Sequence, residues 1–250
     1  IKDGARLSLA KRISFKHNDL NDLEAKLRKT SGRIFIAVES IYSMDGDKCP
    51  LKDLVCLSEK YDATVILDEA HSTGLMGQNG SGLAVSLGVE GRIGVRIHTF
   101  GKAMGIHGAC VAGSTALRHY LINFARPFIY TTALPPHSIA AIDCAFEYLG
   151  QHMELQQIQT KKINKYSEGV SAFLPDTVRS SAIQTVIIPG NEAARNASQR
   201  LQQQGFDLRA ILSPTVAKGT ERLRICLHTY NHDEQISNLT LALKAIVAGG

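Results

Sequence analysis

Apolar residues run along this chain in two rhythms. Short unbroken runs at 33–40 (RIFIAVES) and 63–68 (ATVILD) predict strands buried on both faces. Residues 96–100 and 109–114 predict two further strands. Between the first two runs, 50–61 (PLKDLVCLSEKY) carries apolar residues at helical spacing behind a proline suited to a helix start. The glycine-rich stretch 74–94 predicts loop with a short helix at 83–87. Helices follow over 136–174, after the break at Pro135 and Pro136. Beyond Pro175 the order becomes strand (183–189), helix (192–204), strand (223–230), helix (233–247). Alternating strands and helices predict an α/β fold with a covered, mostly parallel sheet over 1–175. A smaller C-terminal α+β domain is expected over 176–250.

Composition narrows the function classes. Hydrophobic residues make up 44% and charged residues 20%, the balance of an ordinary globular protein with a sizeable core. The net charge of +5 is spread without blocks of like charge, so it predicts no nucleic-acid arm, though it favours anionic substrates such as coenzyme A. No apolar stretch approaches the length of about 20 residues that a spanning helix needs, and no secretory leader is visible. The five cysteines are odd in number and lack CxxC spacing, which predicts reduced thiols and no metal site, with Cys110 a small buried side chain. A cytoplasmic protein is expected.

Two segments carry candidate chemistry. Asp68-Glu69-Ala70-His71 closes an apolar strand, where α/β sheets place ligands. Its spelling also fits a DEAH nucleotide hydrolase, but no GxxxxGK[ST] loop precedes it, and Gly101-Lys102 is followed by alanine. Lys102 follows a strand in the segment TFGKAMG, among apolar neighbours that would disfavour its charge. A neutral amine is what Schiff-base formation requires. Pyridoxal phosphate (PLP) asks for such a lysine together with an acid beside its ring nitrogen, and Asp68 supplies the acid.

Taken together, SMDGD at 43–47, DEAHSTG at 68–74, TFGK at 99–102, YTTALPP at 130–136 and GTERLR at 219–224 are similar to the motifs of the α-oxoamine synthases. These are fold-type I enzymes, with an aspartate aminotransferase-like PLP-binding large domain. That resemblance covers the whole chain and implies roles. Lys102 would anchor the cofactor and take the Cα proton of the substrate amino acid, and Asp68 would pair with the ring nitrogen. His71 would bond the ring's phenolic oxygen and steer the acyl donor, while Ser43 would lie near the cofactor. Thr99 would contact the phosphate of its own subunit, and Thr131 or Thr132 that of a neighbouring subunit in a homodimer with shared active sites. Arg224, rather than Arg222, would clamp the substrate carboxylate. His98, His107, His137 and His228 are assigned no role.

Within the family, SMDGD and the PTV…GTERLR segment from Pro214 are most similar to the branch that condenses L-alanine with a pimeloyl thioester, with decarboxylation, in biotin synthesis. Sister branches use glycine or serine with another acyl-CoA. A catalytically silent subunit of the same fold is a further alternative, which the presence of both Lys102 and Asp68 disfavours. Family chains begin well before Ile1, so the phosphate-binding turn and the ring-stacking residue are expected outside this chain.

Overall fold

The computed structural model describes residues 1–175 and 180–248. They form two compact units, one of Ile1–Ile41 with Lys48–Met153, the other of Tyr42–Asp47 with Glu154–Gly250. The boundary expected at residue 176 falls on 176–179, outside the described residues.

In the first unit the order is α1 (Lys2–Leu7), α2 (Leu20–Leu27), β1 (Ile34–Glu39), α3 (Leu51–Lys60), β2 (Ala63–Asp68), α4 (Leu83–Ser86), β3 (Val95–Thr99), β4 (Ala109–Gly113), α5 (Thr115–Phe124), α6 (Arg126–Ile129) and α7 (Pro136–Gln151). The sheet runs β1-β2-β3-β4. β1, β2 and β3 are parallel, with Glu39 opposite Asp68 and Asp68 opposite Ile97, and β4 returns antiparallel beside β3. The mixed, mostly parallel sheet agrees with the sequence pattern.

The expected double burial does not hold. α3 packs on β2 through Leu51, Leu54 and Val55, and α2 packs on α3 through a helix that Asp19 caps by accepting from the Asp22 amide. Ile36, Val38, Val65 and Leu67 are buried on that side, whereas Phe35 on the opposite face of β1 stays 55% exposed. Cys110 is exposed too, contrary to expectation, because β4 is an edge strand of the sheet.

The second unit contains α8 (Glu154–Val170), β5 (Ile183–Ile187), α9 (Asn191–Gln203), β6 (Arg209–Ile211), β7 (Arg222–Cys226) and α10 (Asp233–Ala248). Its sheet is antiparallel in the order β5-β7-β6. Side chains alternate across β7, so Leu223 and Ile225 face the helices while Arg222 and Arg224 face the other way. The core joins them to Val186 of β5, Leu201 of α9, Tyr166 and Val170 of α8, and Leu239, Leu243 and Ile246 of α10. Among the described residues, no helix is long and apolar enough to cross a membrane.

Two leucines separate burial from mere hydrophobicity. Leu223→Ala removes a fully buried side chain at the centre of the second unit and is expected to lower stability by about 2–5 kcal/mol in urea denaturation. Leu241→Ala, at a position 66% exposed on α10, is expected to change it by no more than about 0.5 kcal/mol.

Candidate active site

The carboxyl ends of β2 and β3 build the first half of the site. The Asp68 carbonyl accepts from the Ser40 amide at 2.8 Å, and the Glu69 amide donates to the Ile97 carbonyl at 2.8 Å. The backbone of β2 is thus held from both sides where the strand ends. Residues opposite each other in adjacent strands point to the same face, and so do residues two apart. With Asp68 opposite Ile97, the side chains of Asp68 and Thr99 therefore share one face, the one α3 leaves uncovered.

Asp68 keeps its carboxylate in place by accepting from the Ala70 amide at 2.9 Å. The Thr99 hydroxyl oxygen is buried yet has no hydrogen-bond partner among the described residues. An unpaired buried hydroxyl is costly, and at this position it is a ready group for a polar ligand.

His71 lies half-buried in the turn after β2, and Lys102 lies in the loop between β3 and β4. That loop is closed by Phe100 amide to Gly108 carbonyl (2.9 Å), Ile106 amide to Phe100 carbonyl (2.9 Å) and Gly105 amide to Lys102 carbonyl (3.0 Å). Phe100 anchors it edge-on to Phe146 of α7, with ring centroids 5.5 Å apart. The turn and the loop touch at Gly74, where a Cβ would come within 3.0 Å of the Ala103 Cβ and 3.2 Å of the Met104 sulfur. The last glycine of DEAHSTG therefore lets that motif pack against the residues that follow Lys102.

The desolvated environment expected for Lys102 is not found. The lysine is exposed, and nothing lies within 4 Å of a Cβ placed at Gly101 or Gly105. Its apolar neighbour Phe100 is buried against Phe146 of α7. Thr131 and Thr132 are exposed in the link between α6 and α7.

Glu69 does not behave as a DEAH hydrolase needs. It is fully buried and accepts from the amides of Leu83 (2.9 Å) and Ala84 (3.0 Å) and from the Ser72 hydroxyl. A carboxylate so engaged faces neither a metal ion nor an attacking water. His98, assigned no role from sequence, is buried beside it. The Thr73 hydroxyl donates to the Glu69 carbonyl at 2.8 Å and lies 2.9 Å from His98 Nδ1, which makes Nδ1 the donor to Thr73.

Ser43 and Arg224 belong to the second unit, where they meet. Arg224 Nε donates to the Ser43 carbonyl at 2.7 Å. Arg222, on the same face of β7, is buried and spent on structure, bonding Asp45, the Met44 carbonyl and the Thr220 carbonyl. Arg224, which also donates to the Cys226 sulfur at 3.1 Å, borders a concavity of about 670 Å³ shared with Arg209, His228 and Tyr230, so of two arginines on one face the partners of Arg222 leave only Arg224 at a cavity. The glycine of SMDGD has a backbone reason. Gly46 has φ +72°, and a Cβ there would lie 2.1 Å from the Ile183 carbonyl oxygen of β5.

Residues 1–241 match the family model described as aminotransferase class I and II. The chain is 36% identical to 8-amino-7-oxononanoate synthase of Anaeromyxobacter dehalogenans, a match covering 100% of this chain and 63% of that protein. Among solved structures it is similar to a serine palmitoyltransferase from S. paucimobilis determined with a bound PLP–myriocin aldimine (28% identity, TM-score 0.92, 99% of this chain and 64% of that one). It is also similar to 8-amino-7-oxononanoate synthase from Francisella tularensis (29% identity, TM-score 0.85, 99% and 71%). The chain thus spans about 63% of the length of the Anaeromyxobacter relative.

Burial pushes the His98 pKa below its ordinary value of 6.5, an effect that the nearby Glu69 partly offsets. An unfolded chain binds a proton near pH 6.5 that folded His98 resists, so this contribution to stability is complete above pH 6.5 and declines as pH falls below it. The fall in unfolding free energy from pH 7 to pH 5 is expected to be smaller in His98→Asn than in the wild type when both are followed by urea denaturation.

Proposed function

The chain belongs to the aminotransferase class I and II family, and from that membership we propose that it binds pyridoxal phosphate and serves an acyl transfer to an amino acid. The observation that carries this reading is that Asp68 and Thr99 share one sheet face, with the buried Thr99 hydroxyl lacking a partner among the described residues. A pyridine ring beside Asp68 and a phosphate at Thr99 answer both features. Lys102, on the loop held against the His71 turn through Gly74 and Ala103, is the covalent anchor.

Bound here, the cofactor supplies an electron sink for the bond at the substrate Cα. Asp68 keeps a proton on the ring nitrogen, which makes that sink effective. His71 donates toward the phenolic oxygen of the ring and guides the acyl donor. Lys102 Nζ would hold the cofactor and, as a free amine, would take the Cα proton of the substrate. Arg224 would offer the substrate carboxylate the donors that its bonds to the Ser43 carbonyl and the Cys226 sulfur do not use, and by the family resemblance Ser43 would contact the cofactor. Thr131 or Thr132 would serve the phosphate of a second subunit. The Cα electron pair would form the bond to the acyl carbon as the thiolate leaves, and loss of carbon dioxide would leave a pair on Cα that takes back the proton held by Lys102.

L-alanine and a pimeloyl thioester are the favoured substrates, on the 36% identity to a named 8-amino-7-oxononanoate synthase and the SMDGD and GTERLR motifs. The step would belong to biotin synthesis. The TM-score of 0.92 to a serine palmitoyltransferase supports a second reading, in which serine and a longer acyl-CoA are used.

Added PLP is expected to give the wild type a visible absorption band that Lys102→Ala lacks. Equal spectra for the two proteins would remove Lys102 as the anchor. L-alanine is expected to perturb the band more strongly than serine or glycine does, and a stronger response to serine would favour the second reading. In Arg224→Ala, half-saturation by the amino acid should move upward by about tenfold or more, on the scale of a lost charge-assisted hydrogen bond.

A further inference from the structure

Glu69 stands one residue from Asp68 and two from His71, yet neither the substrate chemistry nor the cofactor contacts use it. Its side chain is fully buried. Three donors converge on the carboxylate: the Leu83 amide at 2.9 Å, the Ala84 amide at 3.0 Å, and the hydroxyl of Ser72. Because Ser72 gives its proton to Glu69, the Ser40 hydroxyl is the donor in the 2.9 Å contact between the two serines. Ser40, Ser72 and Glu69 all have zero solvent exposure. This chain of bonds runs from the end of β1, through the turn after β2, to the start of α4.

The surrounding backbone is shaped to that carboxylate. A Cβ on Gly82 would fall 2.7 Å from the Glu69 carboxyl carbon. Gly82 has φ +103°, and its amide donates to the Met76 carbonyl at 2.8 Å. The turn itself winds about the Glu69 main chain, whose carbonyl accepts from the Ser72 amide (3.0 Å), the Thr73 amide (2.8 Å) and the Thr73 hydroxyl (2.8 Å). Sheet pairing determines the backbone direction up to Asp68 and the Glu69 amide. Beyond that amide the chain leaves the sheet, and its next ladder contact is the bridge between Thr73 and Ser81, so the Glu69 side chain ties down the residues between.

We propose that Glu69 is a positioning residue: its carboxylate, held by Leu83, Ala84 and Ser72, sets the orientation of the Asp68 carboxylate and of His71, a role that rests on the cofactor-site reading above. The Asp68 carboxylate accepts from the Ala70 amide, inside this same turn. His71 sits between Ala70 and Ser72. A shift of the turn therefore moves both groups together. On that reading Asp68 and His71 would bond two different polar atoms of one planar ring, so a change in their separation would disturb both contacts at once.

The test compares Glu69→Gln and Ser72→Ala with Val55→Ala, a control in α3 beneath the other face of the sheet, all in the full chain. Glutamine keeps the size of glutamate but sets an NH₂ donor against a backbone donor. Ser72→Ala removes one of the three bonds and is the milder variant, which decides the matter if Glu69→Gln does not fold. PLP titration is expected to give a dissociation constant raised by about tenfold in Glu69→Gln, the scale seen when groups orienting a bound centre are lost. The visible circular dichroism of bound PLP is expected to change in shape, since it reports ring orientation. Amide hydrogen exchange at residues 70–73, measured without cofactor, is expected to accelerate in both network variants. Val55→Ala is expected to lower the melting temperature while leaving all three readouts at wild-type values. Wild-type affinity, dichroism and exchange in a folded Glu69→Gln or Ser72→Ala would overturn the assignment. Should the wild type take up no PLP, the functional reading falls by itself, and the exchange data then decide on Glu69: unchanged protection over 70–73 sinks the positioning role, and accelerated exchange sustains it.

Discussion

Everything at the site depends on β2 having a parallel partner on each side. The carbonyl of Asp68 is claimed by Ser40 and the next amide by Ile97, so the final residue of this strand cannot rotate to present another side chain. An acid placed last on a strand bonded from both sides is held without help from its own side chain. The same pairing passes the register to β3 and places Thr99 on the face that Asp68 uses. Past the sheet, a buried carboxylate joins the backbone bonds of the turn in holding the chain. The candidate site thus spans the point where strand geometry ends and side-chain anchoring begins.

The strands were legible because their apolar runs are short, continuous and bounded by polar residues or glycine, and the helices at α3, α7 and α8 were legible from spacing and proline breaks. α2 and α5 were passed over, although Asp19 and Ser114 cap them by accepting from Asp22 and Leu117. Their apolar faces are narrow, and caps alone were not read as starts. β6 escaped because three residues on a sheet edge carry no periodicity. Edge position is also what the sequence could not express for Cys110 or Phe35. A run of apolar residues reports the chance to be covered, and coverage depends on which element folds onto which face.

Within the candidate site, residue type was readable and environment was not. Asp68, His71, Thr99 and Lys102 were identified from motif and strand position, and the structure carries Asp68 and Thr99 on one face. The desolvation expected around Lys102 failed because apolar neighbours in sequence need not lie above the amine in space. Glu69 and His98 were missed for the opposite reason. A buried acid and a buried histidine look like surface residues in a sequence, and the available clue was Gly82, distant along the chain. Arg222 and Arg224 lie two apart and face the same way on a strand, so only motif position favoured Arg224. What separates them is the acid opposite one of them, Asp45, which the spacing did not reveal.

That pairing also has a meaning in time. Asp45 and Arg222 are 177 residues apart, and Ser43 and Arg224 are 181 apart. At ribosomal speeds of about 5–20 residues per second, the segment Tyr42–Asp47 waits roughly 10–35 s for its strand to be made. Its neighbours on both sides can meanwhile join β1 and α3, leaving an acidic loop held at its base and open at its tip. Closing so long a loop late is slow but adds little entropic cost per added residue. During synthesis, then, this short acidic loop is a place where the nascent protein stays exposed to whatever else in the cell carries a free guanidinium.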